Sequence, residues 1–372
     1  MRMRTLTAAS VAVLALMAGG AAQAEDKIGF IYVGPSADYG YNMSMDLGRL
    51  YVEEQLEGVS TTAFEEVPES AEVERVIERL INSGHNIIFA TSYGYLDHAI
   101  TVGEKYPDVS ILHAGGLKTS ENVGTYWADS DDGMYLAGMV AGHFSESGNL
   151  GFVGAFQIPQ LFRSINAFTL GAQSINPDAT TTVVWTGGWW EPQKEAEATN
   201  AFVDQGIDVI ASQVDSPITV GETAVKRGVH IIGKDVDISD RVPEAWLTGV
   251  SWNWGPMMVD MVEDIRAGTW EPGHVRGDLL SGHAVLDPFG AAVGPAFKAG
   301  FMHYLTNELD FRQDDRDYVV SGGLWSSWEE STSCGIPWSA SSACPTPCPR
   351  GSGWPWTPRC SRSWGDRETP SF

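Results

Sequence analysis

The body of this chain contains no cysteine. All four cysteines, Cys334, Cys344, Cys348 and Cys360, lie close to the C-terminal end. Disulfides therefore do not stabilise the body, and the spacing of the four matches no zinc-binding pattern. The histidines are scattered and also lack metal-ligand spacing, so we predict neither a metal nor another cofactor.

Positive charge is scarce. Lys and Arg number 23 against 48 Asp and Glu, which gives a formal net charge of −25. Such a surface repels phosphate backbones and anionic lipid. We therefore predict that neither nucleic acid nor a membrane surface is a partner.

The chain also lacks an apolar run long enough to span a bilayer. Residues 6–17 are apolar, follow Arg2 and Arg4, and precede a small-residue cleavage site at Ala22-Gln23-Ala24. This order is typical of a secretory signal peptide, here residues 1–24. No cysteine near the cleavage site could carry a lipid anchor. We expect a soluble periplasmic protein that begins near Glu25 and does not insert into the membrane.

Short apolar runs alternate with helical patterns, and the alternation occurs twice. Residues 27–48 form a strand, a glycine- and aromatic-rich loop and a helix, and residues 149–171 repeat this order. Gly29-Phe30 recurs as Gly151-Phe152. The pattern predicts an α/β fold of two doubly wound, Rossmann-like lobes with a cleft between them.

The domain boundaries follow from this repeat. We assign residues 25–128 and about 250–275 to lobe one, and residues 129–249 and about 276–321 to lobe two. Residues 322–372 are rich in Trp, Ser, Pro, Cys and Arg and show no helical or strand period. We interpret them as an atypical tail outside the fold. A shift of reading frame near residues 320–323 is the favoured explanation, and a genuine disordered tail is the alternative.

Ligands of open α/β sheets bind beyond the carboxyl ends of the strands, so the loops at those ends are the candidate site. These loops combine aromatic rings with carboxylates and amides, which suits a flat, polar, uncharged heterocycle. A sugar would also fit. Asp235 and Asp237 share one loop, and we favour Asp237. The candidate ligand-binding residues are Tyr39, Tyr41, Asn42, Tyr93, Phe156, Trp189, Trp190, Asp215 and Asp237.

Several segments, taken in order, resemble one known family. They include YVGPSADYGYNMSMDLGR, ERLINSGHNIIFATSYGY, YLAGMVAGHF, VVWTGGWWEPQKEA, DQGIDVIASQVDSP, GVHIIGKDVDIS and LTGVSWNWGP. Over residues 27–318 the chain is similar to the basic membrane protein family of ABC-transporter substrate-binding proteins. The resemblance implies a type I periplasmic binding protein fold, a purine nucleoside or nucleobase as ligand, and a membrane permease as partner.

Within that family, the chain resembles the adenine-type nucleobase binders. Tyr41 stands where nucleoside binders have a stacking Phe, and Asn42 matches their Asn. Residues 252–254, Trp-Asn-Trp, replace a lysine common in nucleoside binders, which favours a free base. For such a binding protein we expect Tyr41 and Trp189 to stack on the base, and Asn42, Asp215 and Asp237 to contact its edge.

Other functions stay open at this stage. A sugar-binding protein or a sensory protein that presents its ligand to a receptor would have the same fold. A secreted hydrolase would need paired carboxylates or a metal cluster, and the loops offer only Asp235 and Asp237 as a close pair. We predict that the chain is not an enzyme and that it is a monomer.

Overall fold

The structure is a computed structural model that describes residues 26–307. The predicted signal peptide and the tail at residues 322–372 lie outside the described residues. The strands are β1 (Asp26–Ile31), β2 (Val59–Phe64), β3 (Ile87–Ala90), β4 (Ser110–Ala114), β5 (Val123–Ala128), β6 (Asn149–Gly154), β7 (Thr180–Trp185), β8 (Val209–Gln213), β9 (His230–Asp235), β10 (Trp246–Trp252), β11 (His274–Gly277) and β12 (Ala284–Leu286). The helices are α1 (Tyr41–Gln55), α2 (Glu72–Asn82), α3 (Leu96–Lys105), α4 (Asp131–Phe144), α5 (Pro159–Ile175), α6 (Pro192–Asp204), α7 (Pro217–Arg227), α8 (Trp254–Ala267) and α9 (Pro295–Asn307).

The strands form two six-stranded sheets with equivalent topology. The first has the order β11-β5-β4-β3-β1-β2 and the second the order β12-β10-β9-β8-β6-β7. Every pairing is parallel except that of β12 with β10, which is antiparallel. The sequence repeat therefore corresponds to two copies of one α/β unit. We call the first sheet with its helices the first lobe, and the second sheet with its helices the second lobe.

The chain passes between the sheets three times within the described residues. It leaves the first sheet after β5, returns after β10 so that α8 packs on α1, and crosses again between β11 and β12. Asp129 lies at the first crossing, where its carboxylate accepts a hydrogen bond from Arg276 at 2.9 Å and pairs with Arg163. The crossings place the carboxyl ends of both sets of parallel strands around one shared space.

Apolar side chains explain why these segments form strands and helices. All four residues of β3 are buried, as expected for a parallel strand covered by helices on both faces. In α2, the apolar stripe of Val73, Val76, Ile77 and Leu80 is buried. The spacing of these residues in the sequence matches one face of a helix, so the stripe itself indicates the helix.

Helices α4 and α5 approach each other closely because glycine lies at their contact. A Cβ atom on Gly171 would lie 1.9 Å from the carbonyl oxygen of Tyr135, and one on Gly138 would lie 2.1 Å from that of Phe168. Both obstacles are backbone atoms, which cannot rotate away. The small residues within residues 134–144 thus allow α4 to pack tightly against α5 in the second lobe.

We expect Gly171→Ala to lower the free energy of unfolding by about 2 kcal/mol or more, because the added methyl group forces α4 and α5 apart. Chemical denaturation would measure this loss. Gly294→Ala is the matched control, since a Cβ atom there would meet nothing within 4 Å. Equal stability of the two variants would show that the helices separate without cost.

Candidate functional site

A cleft lies between the two lobes at the carboxyl ends of their strands. The space inside it amounts to about 470 Å³, open solvent at its mouth included. Both lobes supply its walls. The lining residues are Val33, Tyr41, Ser92, Tyr93, Ala114, Gly115, Trp127, Ile158, Gln160, Leu161, Trp189, Gln213, Val214, Asp215, Asp235 and Trp252.

Aromatic rings form one wall of the cleft. Tyr41 lies edge-on to Trp252, with ring centroids 5.4 Å apart, and Trp252 lies edge-on to Trp127 at 5.1 Å. The Tyr41 hydroxyl donates a hydrogen bond to the Thr91 carbonyl oxygen at 2.6 Å, which fixes the position of the ring. Such a wall offers apolar aromatic surface with few hydrogen-bonding groups, which suits a flat ring.

Trp189 contributes an aromatic ring from the second lobe. Phe156 packs edge-on against it at 5.1 Å, and its indole N–H donates to Glu69 Oε1 in the first lobe at 3.3 Å. Glu69 is itself held by Ser92 Oγ and the Gly94 N–H, both at 2.7 Å. A contact between the lobes therefore fixes the orientation of the Trp189 ring.

Asn42 links two carboxyl groups that belong to different lobes. Its side-chain Nδ2 donates to Asp38 Oδ2 at 2.7 Å and to Asp215 Oδ2 at 2.8 Å. Asp38 also accepts from the backbone N–H groups of Gly40, Asn42 and Met43, at 2.7, 3.2 and 3.1 Å, at the start of α1. Asn42 is fully buried, so its amide holds the cleft residue Asp215 from behind.

Asp235 lies at the end of β9 and is paired with a buried cation. The Lys234 Nζ atom is 3.0 Å from Asp235 Oδ1 and 3.2 Å from the centroid of the Trp252 ring. Lys234 itself is completely buried. Its charge is therefore compensated by a carboxylate and by the face of an indole ring.

Burial raises the pKa of each of these carboxyl groups. The pKa of Asp38 rises to about 6, and that of Asp215 rises well above its ordinary value, because burial and the nearby Asp38 and Asp235 disfavour its charge. Burial also raises the pKa of Asp235, although Lys234 opposes the shift. Burial lowers the pKa of Lys234, although the neighbouring Asp235 carboxylate opposes this shift. The cleft thus contains carboxyl groups in unequal electrostatic environments.

Four of the nine candidate residues line the cleft. Tyr41 and Tyr93 do so from the first lobe, and Trp189 and Asp215 from the second. Asn42 and Phe156 lie one layer behind, where they contact Asp215 and Trp189. The structure therefore brings six of the candidates together around one space.

The other three candidates lie elsewhere. Tyr39 has a left-handed backbone with φ of 60°, and the Arg241 guanidinium covers its ring at 5.1 Å. Trp190 points outward and is 47% exposed. Asp237 is exposed, and its Oδ1 accepts from the Ser239 N–H at 2.8 Å. These three side chains are not among those that line the cleft.

Several lining residues were not among the sequence candidates. Trp252 is the last residue of strand β10 and Trp127 the second-last residue of β5, so the rule that ligands bind at the carboxyl ends of strands could have identified them. Gln160, whose Nε2 donates to the Gly115 carbonyl oxygen across the cleft at 3.1 Å, carried no signal in the sequence. The sequence favoured Asp237 over Asp235, whereas the structure places Asp235 and not Asp237 among the lining residues.

Two kinds of feature are absent from the part of the chain that the structure describes. No group of three or more His, Cys, Asp or Glu side chains is arranged there to hold a metal ion. None of the described helices combines the length and the apolar character that a membrane span requires.

Comparison with known proteins shows which family the chain matches and which described proteins it is similar to. Residues 25–279 match the model of the family Bmp, described as ABC transporter substrate-binding protein, PnrA-like. A purine-binding protein of Brucella abortus is 39% identical over 280 residues, which are 74% of this chain and 80% of that protein. A Haloferax volcanii protein whose name proposes it as the glucose-binding protein of an ABC transporter is 35% identical over 297 residues, 78% of this chain and 75% of that protein.

Solved structures show the same fold at lower identity. An ABC transporter solute-binding protein from Aeropyrum pernix K1 superimposes with a TM-score of 0.64 at 19% identity, covering 82% of this chain and 90% of that one. The predicted fold class of two doubly wound lobes, the type I periplasmic binding protein fold, is therefore confirmed.

Proposed function

Because the chain belongs to the Bmp family of ABC transporter substrate-binding proteins, we propose that it binds a purine nucleobase, adenine-like, in the cleft between its lobes. The family membership confirms the resemblance drawn from the sequence. The family and the similar proteins above are binding proteins, so the prediction that the chain is not an enzyme is also confirmed.

The aromatic and acidic lining of the cleft carries this proposal. Tyr41 and Trp189 reach the same space from opposite lobes, and Asp215 and Asp235 lie beside them. A purine is flat and neutral, so its faces stack on aromatic rings while its ring nitrogens and exocyclic group bond with carboxyl groups at its edge. The name of the Brucella abortus relative supports the same ligand class.

Trp252 favours a free base over a nucleoside. Its indole lines the cleft, is 7% exposed and lies between Tyr41, Trp127 and the Lys234 ammonium group. Although the face of a sugar ring can lie on an aromatic ring, ribose hydroxyl groups that point at this surface would lose their bonds to water without an equal replacement. The same surface suits the face or edge of a second aromatic ring.

We further propose that the chain takes part in the import of its ligand. Substrate-binding proteins of ABC transporters deliver small molecules to a permease, and we propose a purine importer with this chain as its periplasmic, monomeric binding component. Closure of the lobes on the ligand would then signal to the permease.

A sugar is the second candidate ligand, and the Haloferax volcanii relative supports it. Aromatic faces also cover sugar rings, and Asp215, Asp235, Gln160 and Gln213 could bind hydroxyl groups. Direct binding measurements with purines and with sugars separate the two ligand classes.

The test is isothermal titration of purified protein that has been unfolded and refolded to remove any ligand bound during expression. The panel contains adenine, guanine, hypoxanthine, adenosine, ribose and glucose. We expect adenine to bind and to raise the melting temperature, because a ligand of the folded state stabilises it by mass action. Binding of adenosine but not of adenine would overturn the free-base proposal, and binding of glucose alone would overturn the purine proposal.

A further inference from the structure

The two carboxyl groups in the cleft have different neighbours. Asp215 receives its side-chain hydrogen bond from the neutral amide of Asn42 at 2.8 Å, whereas Asp235 receives one from the charged Lys234 ammonium at 3.0 Å. Among the described residues, no Lys or Arg forms an ion pair with Asp215. The titratable groups that face Asp215 from surrounding elements are Asp38, Tyr41, Tyr95, Glu195 and Asp235.

This difference decides where negative charge can reside. Both carboxyl groups are almost fully buried, so an ionised form needs a compensating charge nearby. Lys234 supplies that charge to Asp235 at the distance of a hydrogen-bonded ion pair. Asp215 instead faces further acids, and each of them makes its ionisation less favourable.

We propose that the two cleft carboxyl groups have opposite hydrogen-bonding roles, fixed by Lys234 and Asn42. Asp235 is an ionised acceptor held by Lys234. Asp215 is a neutral carboxylic acid whose Oδ2 accepts from Asn42, so that its hydroxyl donates into the cleft. Lys234 and Asn42 are positioning residues, because neither is among the residues that line the cleft.

The arrangement defines the ligand edge that the cleft recognises, and here the inference rests on the proposed function. An N–H group of the ligand donates to Asp235, and a lone pair on a neighbouring ring nitrogen or carbonyl oxygen accepts from Asp215. Neutral heterocyclic bases carry such a donor and acceptor side by side. An anionic ligand is disfavoured because its charge is repelled by the ionised Asp235.

Two isosteric substitutions with opposite expected results test the inference. Asp215→Asn keeps an acceptor for Asn42 and a donor for the ligand, so we expect adenine affinity to fall less than about fivefold. Asp235→Asn leaves Lys234 buried beside an uncharged amide, so we expect affinity to fall about thirtyfold or more. Asp240→Asn, an exposed acid beyond the same strand, is the matched control for loss of one negative charge.

A double variant separates folding from recognition. Lys234→Met combined with Asp235→Asn removes the unpaired buried charge, so thermal stability should recover while the loss of affinity remains. Restored affinity in the double variant would overturn the inference. The inference would also be overturned if Asp215→Asn lost as much adenine affinity as Asp235→Asn, or more.

The pH dependence of binding gives a readout that a merely structural role would not change. Wild-type affinity should weaken as pH rises and Asp215 loses its proton, and Asp215→Asn should remove this dependence. Unchanged pH dependence in that variant would contradict the neutral-acid role. The wild-type titration alone decides the proposed function. If another member of the panel binds instead of adenine, the affinity losses of Asp215→Asn and Asp235→Asn are compared with that ligand.

Discussion

We expect Trp189→Ala to bind adenine about 100-fold more weakly than wild-type protein, as measured by isothermal titration. Stacking of a base on an aromatic side chain contributes about 1 to 3 kcal/mol. Trp189 also donates its indole N–H to Glu69 in the first lobe, so alanine removes a contact between the lobes as well as the stacking surface.

Trp190 is the matched control for this experiment. It is the same residue type at the adjacent position, but it is 47% exposed and does not line the cleft. We expect Trp190→Ala to retain wild-type affinity, although the sequence alone made both residues candidates. Equal losses in the two variants would contradict the placement of the ligand beside Trp189.

The second large effect concerns stability and pH. Burial raises the pKa of Asp287 to about 8, although a hydrogen bond from Ser251 at 2.9 Å favours the charged form. Burial likewise raises the pKa of Glu195 to about 7, and the Oε2 atom of Glu195 has no hydrogen-bond partner among the described residues. Both groups bind a proton more tightly in the folded chain than in the unfolded chain.

The direction of the effect follows from that difference. The stabilising contribution of each acid is complete below its ordinary pKa of about 4 and is lost as pH rises through about 7 for Glu195 and about 8 for Asp287. Because one unit of raised pKa corresponds to about 1.4 kcal/mol, we expect the free energy of unfolding to fall by several kcal/mol between about pH 5 and about pH 9, with the larger share from Asp287. Urea denaturation across this range measures the loss.

Asp287→Asn tests the origin of the loss. An amide keeps an acceptor for Ser251 but cannot ionise, so the variant should lose less stability at alkaline pH than wild-type protein does. Asp240→Asn, at an exposed position, should follow the wild-type curve. A curve for Asp287→Asn that is as steep as that of wild-type protein would assign the pH dependence to other groups.

Periodicity predicted most of the fold because burial determines the spacing of apolar residues. The apolar stripe of α2 and the short buried strands were recognisable without contacts between distant residues. The repeat of a strand, a loop and a helix indicated two similar lobes, which the equal strand orders confirm. The antiparallel pairing of β12 had no local signal, because it depends on where the chain crosses between sheets.

The site was harder to predict because it depends on where each strand ends. Strand β9 extends as far as Asp235, which has a left-handed backbone with φ of 78°. This extension places Asp235 at the strand end, where it lines the cleft. Asp237 then falls in the following turn and bonds to the Ser239 N–H.

The sequence predicted only part of the aromatic wall, because its rings come from distant parts of the chain. Tyr41 was a candidate because it follows a loop at the end of the first strand, but its neighbours Trp127 and Trp252 are 86 and 211 positions away in the sequence. Residues so distant are brought together only by the crossing of the chain between sheets. The sequence could indicate an aromatic ligand but not the set of rings around it.

The hydrogen bonds between the lobes have a consequence for how affinity should be interpreted. Asn42 with Asp215, Gln160 with Gly115, and Trp189 with Glu69 all contribute to the stability of the joined arrangement. The observed dissociation constant therefore contains two factors, the intrinsic affinity and the fraction of molecules in the binding-competent conformation. A substitution that changes only this fraction shifts the dissociation constants of all ligands by one common factor. A substitution at a recognition residue instead alters their ranking, so ligand selectivity is the quantity that identifies residues in direct contact.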